Sequence, residues 1–191
     1  MDDGRFARGK VVCMGIFDRL SRGKRSVSDA PSAVAAIAEG GCVLAPVDGA
    51  ATPLFEVSDP VFAQGMLGPG MAVKPSEGVI YAPVTGTVTS AVETGHALGL
   101  TSDDGMEVLI HVGVDTVEMR GDGFHVLVSK GDRVEAGTPL ITFDREKIRA
   151  AGHDDVVMVS VMNASGEVVP AVAAGASVRA GEPLFRLGGR A

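Results

Sequence analysis

A chain of 191 residues that is 46% hydrophobic but only 4% aromatic, with no Trp, 26 Gly and 10 Pro, must build its core from Val, Ala, Ile and Leu around many tight turns. No apolar run approaches the roughly 20 residues of a membrane span, no signal-peptide core is present, and Cys13 and Cys42 form no metal spacing, so the expectation is one soluble, reduced, cytoplasmic domain. The net charge of −7 is uneven: residues 1–28 hold seven Lys or Arg against three Asp, and the acidic body that follows lacks the clustered cations that bind nucleic-acid phosphates.

In chain order, the first element is the basic N-terminal segment, residues 1–41. Within “MGIFDRLSRGKR”, Ile16, Phe17 and Leu20 share one helical face with Arg19, Arg22, Lys24 and Arg25 around them. That is the pattern of a short interfacial amphipathic helix over 14–22, with a disordered basic tail as the alternative. “SVSDAPSAVAAIAEGG” (26–41) reads as a mobile, small-residue linker.

From residue 42 to 191 the chain contains internal repeats. “APVDGAAT” (45–52) recurs as “APVTGTVT” (82–89), and “GDRVEAGTPL” (131–140) recurs as “GASVRAGEPL” (175–184). Each unit offers a short apolar strand, a turn glycine and a second strand, so pairs of them can fold back as antiparallel hairpins and pack face to face. The predicted fold is all-β: a single antiparallel β-sandwich or flattened barrel with at most one or two short helices. One helix is expected near “DREKIRAAG” (144–152), capped by Asp144 and stopped by Gly152.

Units of the form G-x-x-V-x-A-G-x-P-L also occur in lipoyl and biotinyl carrier domains. Those carriers need a lysine at an exposed hairpin tip, and none of Lys10, Lys24, Lys74, Lys130 and Lys147 has that setting. The histidines carry more. His96 in “ETGHALGL” and His111 in “LIHVGVD” lie in two segments that the turn “SDDG” (102–105) folds into a hairpin, which sets them side by side. Alternation puts Leu109 and His111 on one strand face and Val108, Ile110 and Val112 on the other. The imidazole then looks outward while its neighbours fill the core.

“HVGVDTVEMRGDGF” (111–124), with “GMEVLI” and “ETGHALGL” before it, resembles the signature of the glucose-type IIA component of the bacterial phosphoenolpyruvate-dependent sugar phosphotransferase system. “VFAQGMLGPGMAVKP” (61–75), “APVTGTV” (82–88), “GDRVEAGTPLITFD” (131–144) and “VRAGEPLFRL” (178–187) follow in that family's order, and “MGIFDRL” (14–20) is similar to the start of members whose N-terminus touches the membrane. The resemblance implies a small antiparallel β-sandwich and a phosphotransferase component acting as a phosphohistidine carrier. It implies that His111 takes a phosphoryl group from the small carrier HPr on Nε2, that His96 stabilises it, that Thr94 orients His96, and that a IIB cysteine of a sugar permease receives it. Phe62, Met66, Val92, Leu109 and Val117 match the family's exposed apolar docking patch, with Asp59 and Asp115 on its rim. Val92 and Leu109 stand where close relatives carry phenylalanines. The resemblance implies no required cofactor, although His96 and His111 could share zinc with a carboxylate from a partner, and it leaves room for regulated permeases or kinases and a peripheral membrane contact. Zinc peptidases of the LytM kind use a His and Asp spaced as in “HVGVD”, but also a His-x-His pair that none of the four histidines forms.

Overall fold

Short aliphatic runs broken by glycine give fourteen strands and two short α-helices among the described residues, 30–36 and 39–188, of the computed structural model. The strands are β1 (Cys42–Leu44), β2 (Gly49–Pro53), β3 (Gly70–Pro75), β4 (Val79–Tyr81), β5 (Gly86–Ala91), β6 (Ala97–Ser102), β7 (Glu107–Val112), β8 (Phe124–Val126), β9 (Arg133–Val134), β10 (Pro139–Phe143), β11 (Val157–Val161), β12 (Val168–Pro170), β13 (Ser177–Val178) and β14 (Pro183–Leu187). The helices are α1 (Pro60–Ala63) and α2 (Arg145–Ala150). All the strand pairings are antiparallel, as the repeats imply. One sheet has the order β13-β2-β3-β11-β7-β6-β5-β9, and two three-stranded sheets run β1-β14-β12 and β4-β10-β8.

The repeats pair differently from the hairpins expected. The first “APV” unit supplies β2, which pairs with β13 from the second “GxxVxAG” unit; the second supplies β5, which pairs with β9 from the first. The registers are equivalent, Gly49 opposite Val178 and Gly86 opposite Val134. A Cβ on Gly49 would lie 2.1 Å from the Lys74 carbonyl oxygen, and one on Gly86 would lie 2.1 Å from that of Thr101. Only glycine permits so close a backbone approach, which is why both copies keep it. Each duplicated half therefore closes the other.

The β6–β7 hairpin forms at the expected turn, with Gly105 N–H donating to Ser102 O at 3.0 Å and Gly105 at φ +82°. Val108, Ile110 and Val112 of β7 and Val157, Val159 and Val161 of β11 are fully buried and join Leu98, Leu100, Leu140, Ile141 and Phe185 in the main core. At about 1.5–3 kcal/mol per fully buried aliphatic side chain, this layer dominates the hydrophobic stabilisation. A smaller cluster of Leu54, Val57, Phe62, Ala72, Val156 and Met158 lies apart from it.

α2 sits where the sequence places it: Asp144 accepts the Lys147 N–H at 3.0 Å as N-cap, and Gly152 ends the turn at φ +87°. Arg145 and Arg149 both donate to Asp155 Oδ2, at 2.8 and 2.9 Å, and tie the helix to the segment leading into β11. The amphipathic helix over 14–22 lies outside the described residues. Of the linker 26–41, residues 31–36 are seated on both G-x-x-V-x-A-G-x-P-L turns. Val34 N–H donates to Gly137 O at 3.0 Å, and a Cβ would meet Val34 O at 2.3 Å from Gly137 or Ala35 O at 2.7 Å from Gly181.

Candidate functional site

His111 is the fifth residue of β7 and lies on the strand face opposite the core-facing Ile110 and Val112. Across the sheet its direct neighbours are Ala97 on β6 and Met158 on β11. Ala97 is small enough to leave room for a ring, and Met158, fully buried, forms a floor. That floor has no sequence signature, because “VMVSV” reads as a buried strand on both faces.

His96 ends the β5–β6 loop, one residue before β6, and its carbonyl accepts the Val112 N–H at 2.8 Å. Gly95 makes this turn at φ +70°, where a Cβ would stand 2.9 Å from Phe124 Cβ. The His96 and His111 ring centroids are 5.0 Å apart with planes at 70°. Thr94 Oγ1 is hydrogen-bonded to His96 Nδ1 at 2.7 Å. On its other side His111 meets the Phe62 ring edge-on, at 5.5 Å and 61°.

α1 delivers that phenylalanine. Asp59 caps it, its Oδ1 accepting the Val61 N–H at 2.8 Å, and Pro60 takes the first helical position, where no N–H is needed. “SDP” before an apolar pair is a helix-start signal, so this short element was findable in the sequence. Asp59, expected on the rim, thus also builds the support. Phe62 corrects the expectation of an exposed patch residue: at 2% exposure it is buried between Leu54, Ala72 and Met158, because α1 turns it onto the sheet. Leu109 is half-buried against the same cluster, whereas Met66, Val117 and Val92 are 70%, 53% and 37% exposed. Of the expected patch residues, these last three are therefore the exposed ones.

Burial pushes His111 down to about 4, with the nearby His96 acting in the same direction. The Gly113 backbone and the Asp59 and Asp115 carboxylates oppose that shift without overcoming it. Nδ1 of His111 is buried and makes no hydrogen bond, so the Gly113 backbone lies near the ring without reaching bonding geometry. Burial also lowers His96. Both imidazoles are consequently neutral near pH 7 and keep a lone pair, the state a nitrogen nucleophile requires. Among the described residues no group of three or more His, Cys, Asp or Glu side chains could hold a metal, and these two rings offer two nitrogens at most. No helix among the described residues is long and apolar enough to cross a membrane.

The geometry is that of two neighbouring, desolvated imidazoles on the non-core face of an antiparallel sheet. The family described as phosphoenolpyruvate-dependent sugar phosphotransferase system, EIIA 1, matches residues 42–167, and the chain belongs to that family. It is 47% identical over 118 residues to the beta-glucoside-specific EIIBCA component of Bacillus subtilis, covering 62% of this chain and 19% of the relative. It is 44% identical over 121 residues to the glucose-specific EIIA component of Bacillus cereus, covering 63% of this chain and 73% of the relative. The chain thus spans about a fifth of the EIIBCA relatives. The solved glucose permease IIA from Mycoplasma capricolum superposes with a TM-score of 0.68 at 34% identity, over 75% of this chain and 93% of that one.

Proposed function

We propose that this chain is a phosphohistidine carrier in which His111 accepts a phosphoryl group on Nε2 from phospho-HPr and passes it to a IIB cysteine of a sugar permease. The observation that carries this is the neutral His111 ring wedged between Phe62 and His96 on the strand's outer face. In the first step the donor's phosphorus–nitrogen bond breaks as a phosphorus–Nε2 bond forms, and the donor imidazole recovers its lone pair. In the second a thiolate attacks phosphorus and His111 is regenerated.

With its hydroxyl donating to His96 Nδ1, Thr94 selects the tautomer that carries the proton on Nε2, and that N–H then faces the transferred phosphoryl oxygens as a donor. Asp59 and Asp115 favour partners whose binding faces are basic. Zinc fits only in part: two ring nitrogens are one carboxylate and one further ligand short of a tetrahedral set, so a docked partner would have to supply the rest. We place the carrier domain at 42–191, in the cytoplasm, with 31–36 of the preceding segment packed on its turns and the basic residues within 1–28 keeping it near the membrane. The unphosphorylated form is the one available to regulate permeases or kinases.

The test is incubation with phosphoenolpyruvate, enzyme I and HPr. The wild type gains one phosphate-sized mass, lost in acid and kept in base, and His111→Ala gains none. An acid-labile phosphate remaining on His111→Ala would refute the assignment.

A further inference from the structure

Downstream of His111 the chain makes an abrupt loop, Gly113 at φ +78° and Asp115 at φ +57°, before a single 3-10 turn, Thr116–Met119. A non-glycine residue with positive φ persists only where its surroundings over-determine it. The surroundings here converge on Thr116, whose side chain is fully buried although the residues on either side of it are exposed.

Its hydroxyl donates back to the Val112 carbonyl at 2.5 Å. The Val112 N–H is already committed to His96 O at 2.8 Å, so both peptide groups flanking Val112 are fixed, one by each side of the site. Its methyl carbon Cγ2 occupies the space next to Gly113, where an added Cβ would stand only 2.3 Å away. Gly113 and Val114 are pinned from behind, their N–H groups donating to Val156 O at 2.8 Å and Asp154 O at 2.9 Å. The front of the loop has Thr116 for its brace.

We infer that Thr116 is a positioning residue for the histidine pair: through Val112 and Gly113 it holds the backbone against His111 Nδ1, and it holds Asp115 in its left-handed conformation on the rim. The inference rests on the carrier reading above and deepens it. Thr116 touches no reacting atom. It acts by setting how near the Gly113 backbone stands to the inner nitrogen of His111, and so how strongly that backbone biases which ring nitrogen keeps the proton. The hydroxyl, which bonds the i−4 carbonyl and which serine also has, carries the positioning, while the methyl branch adds packing in the hollow beside the glycine.

The experiment compares Thr116→Val, Thr116→Ser and the wild type by two readouts. The first is the ring-nitrogen NMR pattern of His111 at pH 7, which reports its tautomer and needs no partner protein. The second is the rate of phosphorylation by phospho-HPr. Thr116→Val keeps the shape and loses the hydroxyl, so it should convert a single-tautomer pattern into an averaged one and slow phosphorylation about tenfold, the loss of one ordinary hydrogen bond. Thr116→Ser should restore the wild-type tautomer pattern and a rate within about threefold of it. If Thr116→Val does not fold, Thr116→Ala, which lacks the hydroxyl without burying a new branch against the carbonyl, is read in its place. A valine variant with the wild-type pattern and rate, or a serine variant that restores neither, overturns the inference. If the wild type itself takes no phosphate from phospho-HPr, the carrier reading falls, while the tautomer pattern still decides the role of Thr116.

Discussion

Replacing His111 with glutamine should flatten the dependence of stability on pH between 7.5 and 5.0. In the folded protein burial holds the imidazole down to about 4, whereas in the unfolded chain it titrates near 6.5. Between those values the unfolded state binds the extra proton, so stability rises with pH; it is fully present above about 6.5 and is lost progressively as pH falls towards 4. At pH 5.0 about 0.9 of the folded imidazole but only about 0.03 of the unfolded one is neutral, a ratio near 30, or about 2 kcal/mol. Burial of His96 acts with the same sign but remains in the variant, as do the carboxylates, so the difference between the two curves isolates His111. Urea unfolding at pH 7.5, 6.5, 5.75 and 5.0 at one ionic strength measures it. Parallel curves, differing by less than about 0.5 kcal/mol across the range, would mean that His111 is solvated or paired with a carboxylate, and the account of its neutrality would be wrong.

His96→Gln should still accept phosphate from phospho-HPr but pass it to the IIB cysteine about 10²–10⁴ times more slowly, the usual cost of one donor at a transferring group; quenched-flow transfer at the wild-type rate would remove His96 from the mechanism. Ile110→Ala, on the opposite face of the same strand, should cost about 3 kcal/mol in denaturant unfolding because the residue is fully buried in the main core, and a loss below about 1 kcal/mol would show that the core collapses around it. Deleting residues 1–28 should leave phosphorylation intact and weaken sedimentation with anionic vesicles; a truncated chain that takes no phosphate would contradict the separation of tail and carrier.

What could be read from the chain divides along a physical line. Period-two alternation is local, so “EVLIHV” was enough to turn His111 outward, and the “SDDG” turn was enough to bring His96 beside it. Turn glycines and caps are local too, which is why α2 falls where Asp144 and Gly152 put it. The pairing of the repeats is not local: each copy of “APV-x-G” could have met either copy of “G-x-x-V-x-A-G”, and only the folded register, Gly49 opposite Val178 and Gly86 opposite Val134, shows the exchange.

The neutrality of His111 belongs to the same non-local class. Alternation alone would leave an outward imidazole solvated and half protonated near pH 6.5. It is the cover that keeps it neutral, and the residues beside it are Phe62, almost fifty residues earlier, and Met158, almost fifty later. Neither carries a polar atom that a motif could register. Phe62 in particular reads as surface in the sequence, but a short helix capped by Asp59 turns it inward, where it covers the His111 ring instead of meeting solvent. Of the residues expected to meet partners, Met66, Val92 and Val117 stay exposed and all are aliphatic or thioether, so the aromatic share of the expected patch has been withdrawn from the surface into the support of the histidine.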